Sequence, residues 1–210
     1  MRLVLFSILL ATFSSRCLAQ EWEIGAAAGY SWYHNAPVDN VLNSGRTGYA
    51  PRPEFAVVLD DNPYRYIGGE FQYTFRPGGT QLWSGGITEN APGYSNTIIY
   101  YLVVHMTPLE SKFRPFVAAG SGIRIYTNSR PLFTQPLAGV ALLTQGTQVE
   151  PAISFDAGVK YLLPHHIQLR LDLRGYTTPA PNALIRSLGP GHINGWIWDF
   201  APMAGVGYVF

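Results

Sequence analysis

The stretch "IQLRLDLR" (167–174) places Ile167, Leu169, Leu171 and Leu173 on one side of an extended chain and Gln168, Arg170, Asp172 and Arg174 on the other. A period of two is the signature of a strand whose faces meet different surroundings. The turn "PHH" (164–166) lies before it, with a second alternating run, 148–163, on the far side. In that run Ile153, Phe155, Ala157, Val159 and Tyr161 share the apolar face. Setting Leu163 against Ile167 and counting outward brings Asp156 opposite Arg174, a complementary pair. The same count sets Lys160 opposite Arg170. Two like charges there need Asp172 or a carboxylate from another strand, or else a shifted register.

Six further runs show the same rhythm, near 21–33, 48–59, 64–75, 97–108, 113–126 and 197–210. Each is as long as the roughly 9–11 residues that a tilted strand needs to cross a bilayer. The connections alternate in length. "DDNP" (60–63), "LESK" (109–112) and "PHH" (164–166) are short, whereas 34–47, 76–96, 127–147 and 177–196 are long and rich in Gly, Pro, Asn, Ser and Thr. That rhythm predicts an antiparallel meander with its long loops gathered at one end. "PLAGVALL" (136–143) reads either as a short helix or as an extension of a neighbouring strand.

Alternation alone does not say which face is inside, but the polar face does. It carries Gly25, Ala27, Gly29, Gly68, Ala118, Gly120, Gly122, Gly158, Gly205 and Gly207, punctuated by Glu54, Glu70, Arg124, Asp156, Arg170, Asp172, Arg174 and Asp199. Glycine and alanine weaken a solvated strand. They suit the lumen of an eight-stranded barrel, which is only wide enough for side chains to fill it. The eight charged residues are therefore expected to form a polar network within that lumen. On the opposite face no charge interrupts the middle of a strand, and aromatic rings collect toward strand ends. Trp22, Phe113 and Tyr161 lie at the short-turn end, and Tyr30, Trp32, Tyr73 and Trp198 at the long-loop end, as candidate interfacial girdles.

Composition agrees. Charged residues make up 13% of the 210 positions, against about 25% in soluble domains. A net charge of +1 leaves no electrostatic footprint for nucleic acid. "MRLVLFSILLATF" (1–13) followed by "SSRCLAQ" reads as a signal peptide cleaved near residue 20. The domain plan is a removed 1–20 segment and a barrel over 21–210. Cleavage would take Cys17, the single cysteine, and with it any disulfide or thiolate site.

The last run is "FAPMAGVGYVF" (200–210), alternating and closing on Phe200, Tyr208 and Phe210. It resembles the signal by which the outer-membrane assembly machinery recognises its clients. With the export segment and four hairpins, the whole of 21–210 resembles the OmpA-like family of small eight-stranded outer-membrane barrels. The resemblance implies an all-β, eight-stranded antiparallel up-and-down transmembrane β-barrel, with short periplasmic turns and long extracellular loops. It also implies the outer membrane of a Gram-negative envelope as its place, lipid and lipopolysaccharide as its surroundings, and the barrel-assembly machinery as a partner in biogenesis. Two-domain relatives carry a periplasmic peptidoglycan-binding domain, which is not expected here. A monomer is the favoured state.

The function expected is structural, stabilising the envelope, or surface binding through the long loops, with the lumen filled by polar side chains. Two alternatives stand beside it: a lipid A-modifying hydrolase or acyltransferase, and a narrow pore. The enzyme reading needs a histidine base beside a serine and an acid. Of His34, His105, His165, His166 and His192, only His34 and His192 lie at the loop end, near Ser44, Ser95, Asp39 and Glu89. None has a diagnostic spacing. No cofactor and no metal is expected, because no histidine has acidic partners at ligand spacing.

Overall fold

The structure is a computed structural model that describes residues 21–34, 36–39, 44–84, 86–129, 141–187, 192–193 and 195–210. The expected signal peptide, Cys17 and most of "PLAGVALL" lie outside them. In chain order the strands begin with β1 (Glu21–His34), β2 (Ala36–Asp39), β3 (Ser44–Gly48), β4 (Arg52–Asn62) and β5 (Ile67–Pro77). Next come β6 (Gln81–Ser84), β7 (Ile87–Asn90), β8 (Gly93–His105), β9 (Phe113–Asn128) and β10 (Ala141–Leu143). The rest are β11 (Gly146–Leu162), β12 (Ile167–Pro179), β13 (Ile185–Ser187), β14 (His192–Ile193) and β15 (Trp196–Val209).

Eight of these strands close a barrel in the order β1-β15-β12-β11-β9-β8-β5-β4, with every neighbour antiparallel. They coincide, within a few residues, with the eight alternating runs. β1 pairs with β15, and the Phe210 amide donates to the Trp22 carbonyl at 2.9 Å, so the ring has no open edge. In hydrocarbon an unpaired edge would cost several kcal/mol for each unsatisfied amide or carbonyl. Closure removes that cost.

The faces are inverted relative to a soluble protein. Leu171 is 59% exposed, while Arg174, three residues along and so on the opposite face, is 0% exposed. Bulky apolar residues ring the outside, and Trp22, Tyr30, Trp32, Tyr73, Phe113, Tyr161 and Trp198 all lie on that outer face. Tyr100 lies flat across Gly69 on the outer wall: a Cβ at Gly69 would meet the Tyr100 hydroxyl at 2.1 Å. A glycine on the lipid face is thus covered by its neighbour's ring.

Two local expectations need correction. The first short turn is 63–66, not 60–63, because β4 runs on through Asn62. Asp60 and Asn62 are buried lumen residues, so their side chains hold the strand two residues longer than the turn-like composition "DDNP" suggested. Nor are the long loops merely loops. β14-β2-β3-β6-β7 form a five-stranded sheet, and β10 pairs with β13. Residues 141–143 of the ambiguous stretch are strand, and 136–140 lie outside the described residues.

Candidate functional site

The lumen is a stack of ion-pair tiers. At the short-turn end Lys160 Nζ donates to Glu23 Oε2 and Asp60 Oδ2, both at 2.6 Å. Arg114 donates to Glu21 at 2.6 Å and approaches Glu23 at 3.0 Å. Gln168 and Asn62 also donate to Glu23, and His105 Nε2 lies 3.1 Å from Asn62 Oδ1. The middle tier centres on Arg170, which bonds Glu70 at 2.5 Å, Asp156 at 3.0 Å, and Asp172. Arg174 shares Asp156 at 3.1 Å and Asp172 at 2.8 Å.

Above these charges lies a tier of hydroxyls and amides. The Gln72 amide donates to the Tyr176 hydroxyl at 2.8 Å, and Tyr101 and Ser154 hydroxyls meet at 2.7 Å. The top tier is a fork from Arg124 to both oxygens of Asp199, at 2.7 and 3.3 Å, with Arg124 Nε on Thr97. Arg76 reaches the same carboxylate at 3.4 Å and bonds Ser95 at 2.8 Å. Among the described residues Glu54 meets one cation within 4.0 Å, Arg76, and neither of its oxygens has a hydrogen bond within 3.5 Å; Arg124, Arg174 and the Tyr176 hydroxyl are its next favourable neighbours. A buried ion survives only when paired and hydrogen-bonded. By that measure Glu54 is the least satisfied of the set.

The Asp156–Arg174 and Lys160–Arg170 pairings occur in the register counted from the turn. No shift is needed. Carboxylates from β1 and β4 cross the lumen to Lys160, and those of β5, β11 and β12 surround Arg170. All eight charged residues assigned to the lumen from sequence are buried there. Glu23, Asp60, Arg76 and Arg114 were missed, although Glu23, Arg76 and Arg114 share strand parity with residues that were assigned. The lumen also takes large rings: Tyr101, Phe116, Tyr126 and Tyr176 are buried. Arg170 stands 4.9 Å from the Phe116 ring centre and Arg124 4.7 Å from that of Tyr176, distances at which a cation gains from an aromatic face.

A cap closes the long-loop end. Arg76 lies 4.5 Å from the Tyr33 ring centre and 5.1 Å from that of Tyr49, which stacks on Tyr126 at 5.0 Å. This aromatic layer leads into a buried apolar cluster that includes Ala36, Leu82, Leu143, Leu184, Ile185 and Ile197. Asn128 at the top of β9 ties the layers together, donating to Thr80 at 2.8 Å and to the Thr144 carbonyl at 3.0 Å. On its outer side the cap exposes Arg46, Trp83 and Ile87.

The loop-end residues considered for hydrolysis are not assembled into a triad among the described residues. His34 is exposed beside Trp198. Ser95 is buried on Arg76, and Glu89 sits on β7 opposite Leu82. The side chains of Asp39, Ser44 and His192 lie outside the described residues. His165 and His166 form the tight turn before β12 with left-handed backbones, φ 65° and 62°.

A closed ring of eight antiparallel strands, apolar outside and ion-paired inside, with short turns at one end and long connections at the other, is the OmpA-like small-barrel fold. Among solved structures, Neisserial surface protein A superposes with a TM-score of 0.56 at 11% identity, covering 89% of this chain and 96% of that one. The outer membrane protein AlkL, determined by solid-state NMR in lipid bilayers, gives a TM-score of 0.54 at 16% identity, covering 90% of each chain. No family model matches the sequence, and no curated protein does.

Proposed function

We propose that the protein is an outer-membrane β-barrel with a non-enzymatic role, stabilising the envelope or binding at the cell surface through its long-loop cap. The observation that carries this is closure from within. Among the described residues six cations and seven carboxylates are buried in the barrel, interlocked from Glu23 to Asp199, with an aromatic and apolar cap above. A lumen so filled is a strut, not a path. The work then falls to the cap, whose exposed Arg46, Trp83 and Ile87 offer charge and apolar surface to a partner. Surface loops carried by a rigid scaffold are where binding residues concentrate.

Lipid and lipopolysaccharide surround the barrel, and Phe200 and Tyr208 on β15, with Phe210 directly after it, serve the assembly machinery during biogenesis. A hydrolase or acyltransferase reading lacks a supporting constellation among the described residues.

Two measurements test the proposal. In planar bilayers the purified protein gives no steady conductance; a stable open channel would overturn the plug. Replacing 81–90, the β6–β7 hairpin, by a short Gly-Ser turn leaves heat-modifiable gel migration intact but changes envelope permeability or cell-surface binding. If both stay as in the parent, the cap is not the working surface.

A further inference from the structure

The five-stranded sheet of the cap has two unlike faces. Pro37, Arg46, Trp83 and Thr88 stand side by side across β2, β3, β6 and β7, and all four are exposed. The neighbouring row, Ala36, Thr47, Leu82 and Glu89, points the other way. Its first three members are buried and Glu89, at the sheet edge, is half-buried. Ala36 and Leu82 belong to the apolar cluster of the cap, so that side is spent on packing. The outer side is free, and at its centre Trp83 is 46% exposed.

What borders the indole decides what could rest on it. Arg46 and Thr88 lie directly across from Trp83 on either side. Two residues along β6, and so about 7 Å away, Gln81 shares the face and sits opposite the exposed Asn90. Among the described residues the border is therefore one cation and three neutral groups that both donate and accept hydrogen bonds. Neither Arg46 nor Trp83 has a hydrogen bond, ion pair or ring contact to a described residue. The face of an aromatic ring carries partial negative charge, which suits the C–H hydrogens lining one side of a sugar ring. Amides and hydroxyls around it suit the sugar's own hydroxyls. A guanidinium holds a carboxylate through charge-assisted, frequently forked hydrogen bonds. One cation beside one ring matches one negative charge per sugar, whereas a multiply sulfated or phosphorylated glycan would call for several. A hydrophobic protein partner would call for apolar neighbours around Trp83, and these four are polar.

We propose that this face binds an acidic polysaccharide outside the cell, one uronic acid ring lying on Trp83 with its carboxylate on Arg46 and its hydroxyls on Thr88, Gln81 and Asn90. The inference names a ligand class for the cap surface and rests on the surface-binding reading above.

The test titrates the full barrel in detergent, by calorimetry, with oligogalacturonate and with the same oligomer methyl-esterified. Wild type binds the acid form more tightly than the ester by about tenfold. Arg46→Gln removes that difference, lowering affinity for the acid and leaving the ester as it was. Trp83→Ala weakens both forms. Lys112→Gln, exposed at the opposite end of the barrel, changes neither. Unaltered heat-modifiable migration shows that each variant is a folded barrel. No binding by wild type, equal affinity for acid and ester, an Arg46→Gln loss shared by the ester, or equally tight binding of polyglutamate would each overturn the proposal. Replacing 81–90 separates the two readings. If it changes envelope permeability or surface binding while oligogalacturonate does not bind, the cap serves another ligand and this inference alone falls. If it changes neither, the cap reading falls as well.

Discussion

The barrel interior and the cap above it solve opposite problems with the same backbone. Below the rim the inside is charged, from Lys160 on Glu23 and Asp60 to Arg124 on Asp199. Above the rim the inside is Leu82, Leu143, Leu184 and Ile185, as in a soluble protein. The change falls at one layer, where Arg76 packs against Tyr33 and Tyr49. The difference teaches that solvent sets which residues a fold hides. Where hydrocarbon bathes the wall, apolar bulk belongs outside and the lumen is left for polar groups. Where water bathes the cap, apolar bulk goes in.

The comparison can be broken most severely in the barrel. Arg170→Met removes the cation shared by Glu70, Asp156 and Asp172. Leaving buried carboxylates uncompensated is expected to destabilise the barrel by about 3–5 kcal/mol. Urea unfolding in lipid vesicles, followed by tryptophan fluorescence, measures it. A loss below about 1 kcal/mol would mean that the lumen is hydrated rather than a sealed plug.

A smaller and more local effect is expected in the cap. Leu82→Ala empties part of a site that is 2% exposed and costs about 2–4 kcal/mol there. Because the barrel has its own hydrogen-bonded ring, the loss should appear as faster protease cleavage within 81–90 with unaltered heat-modifiable migration. If the barrel's unfolding midpoint falls in parallel, cap and barrel are one unit. The smallest change is expected from Glu54→Gln. Its carboxylate accepts no hydrogen bond and meets Arg76 at 4.0 Å, so neutralising it shifts stability by about 1 kcal/mol or less, toward greater stability. A loss as large as that of Arg170→Met would show a partner for Glu54, such as ordered water, that makes it integral to the top tier.

How much of this could be read from sequence depended on the range of the contact. Strand faces follow from neighbours two apart, so the eight runs, the inward charges and the outward girdle were legible. Pairing within one hairpin follows from the turn, and it placed Asp156 on Arg174. Partners across the lumen depend on strand tilt and stagger, which no local pattern encodes. Lys160 therefore looked repelled by Arg170, when Glu23 from β1 and Asp60 from β4 neutralise it. Asp60 was further hidden because "DDNP" has the composition of a turn. The cap went unread for another reason. β2, β3, β6, β7, β10, β13 and β14 span two to five residues each, too short for alternation to rise above loop composition.

The ion pairs that cross the ring carry one more consequence. Glu23 and Lys160 are separated by 137 residues, as are Arg124 and Asp199 by 75. The β11–β12 hairpin pairs Asp156 and Asp172 with Arg170 and Arg174 but leaves Lys160 to carboxylates from β1 and β4, and Arg124 on β9 waits for Asp199 on β15. A half-inserted ring would hold bare ions next to acyl chains, so partial assemblies are heavily penalised and the barrel is expected to form and come apart as one cooperative event.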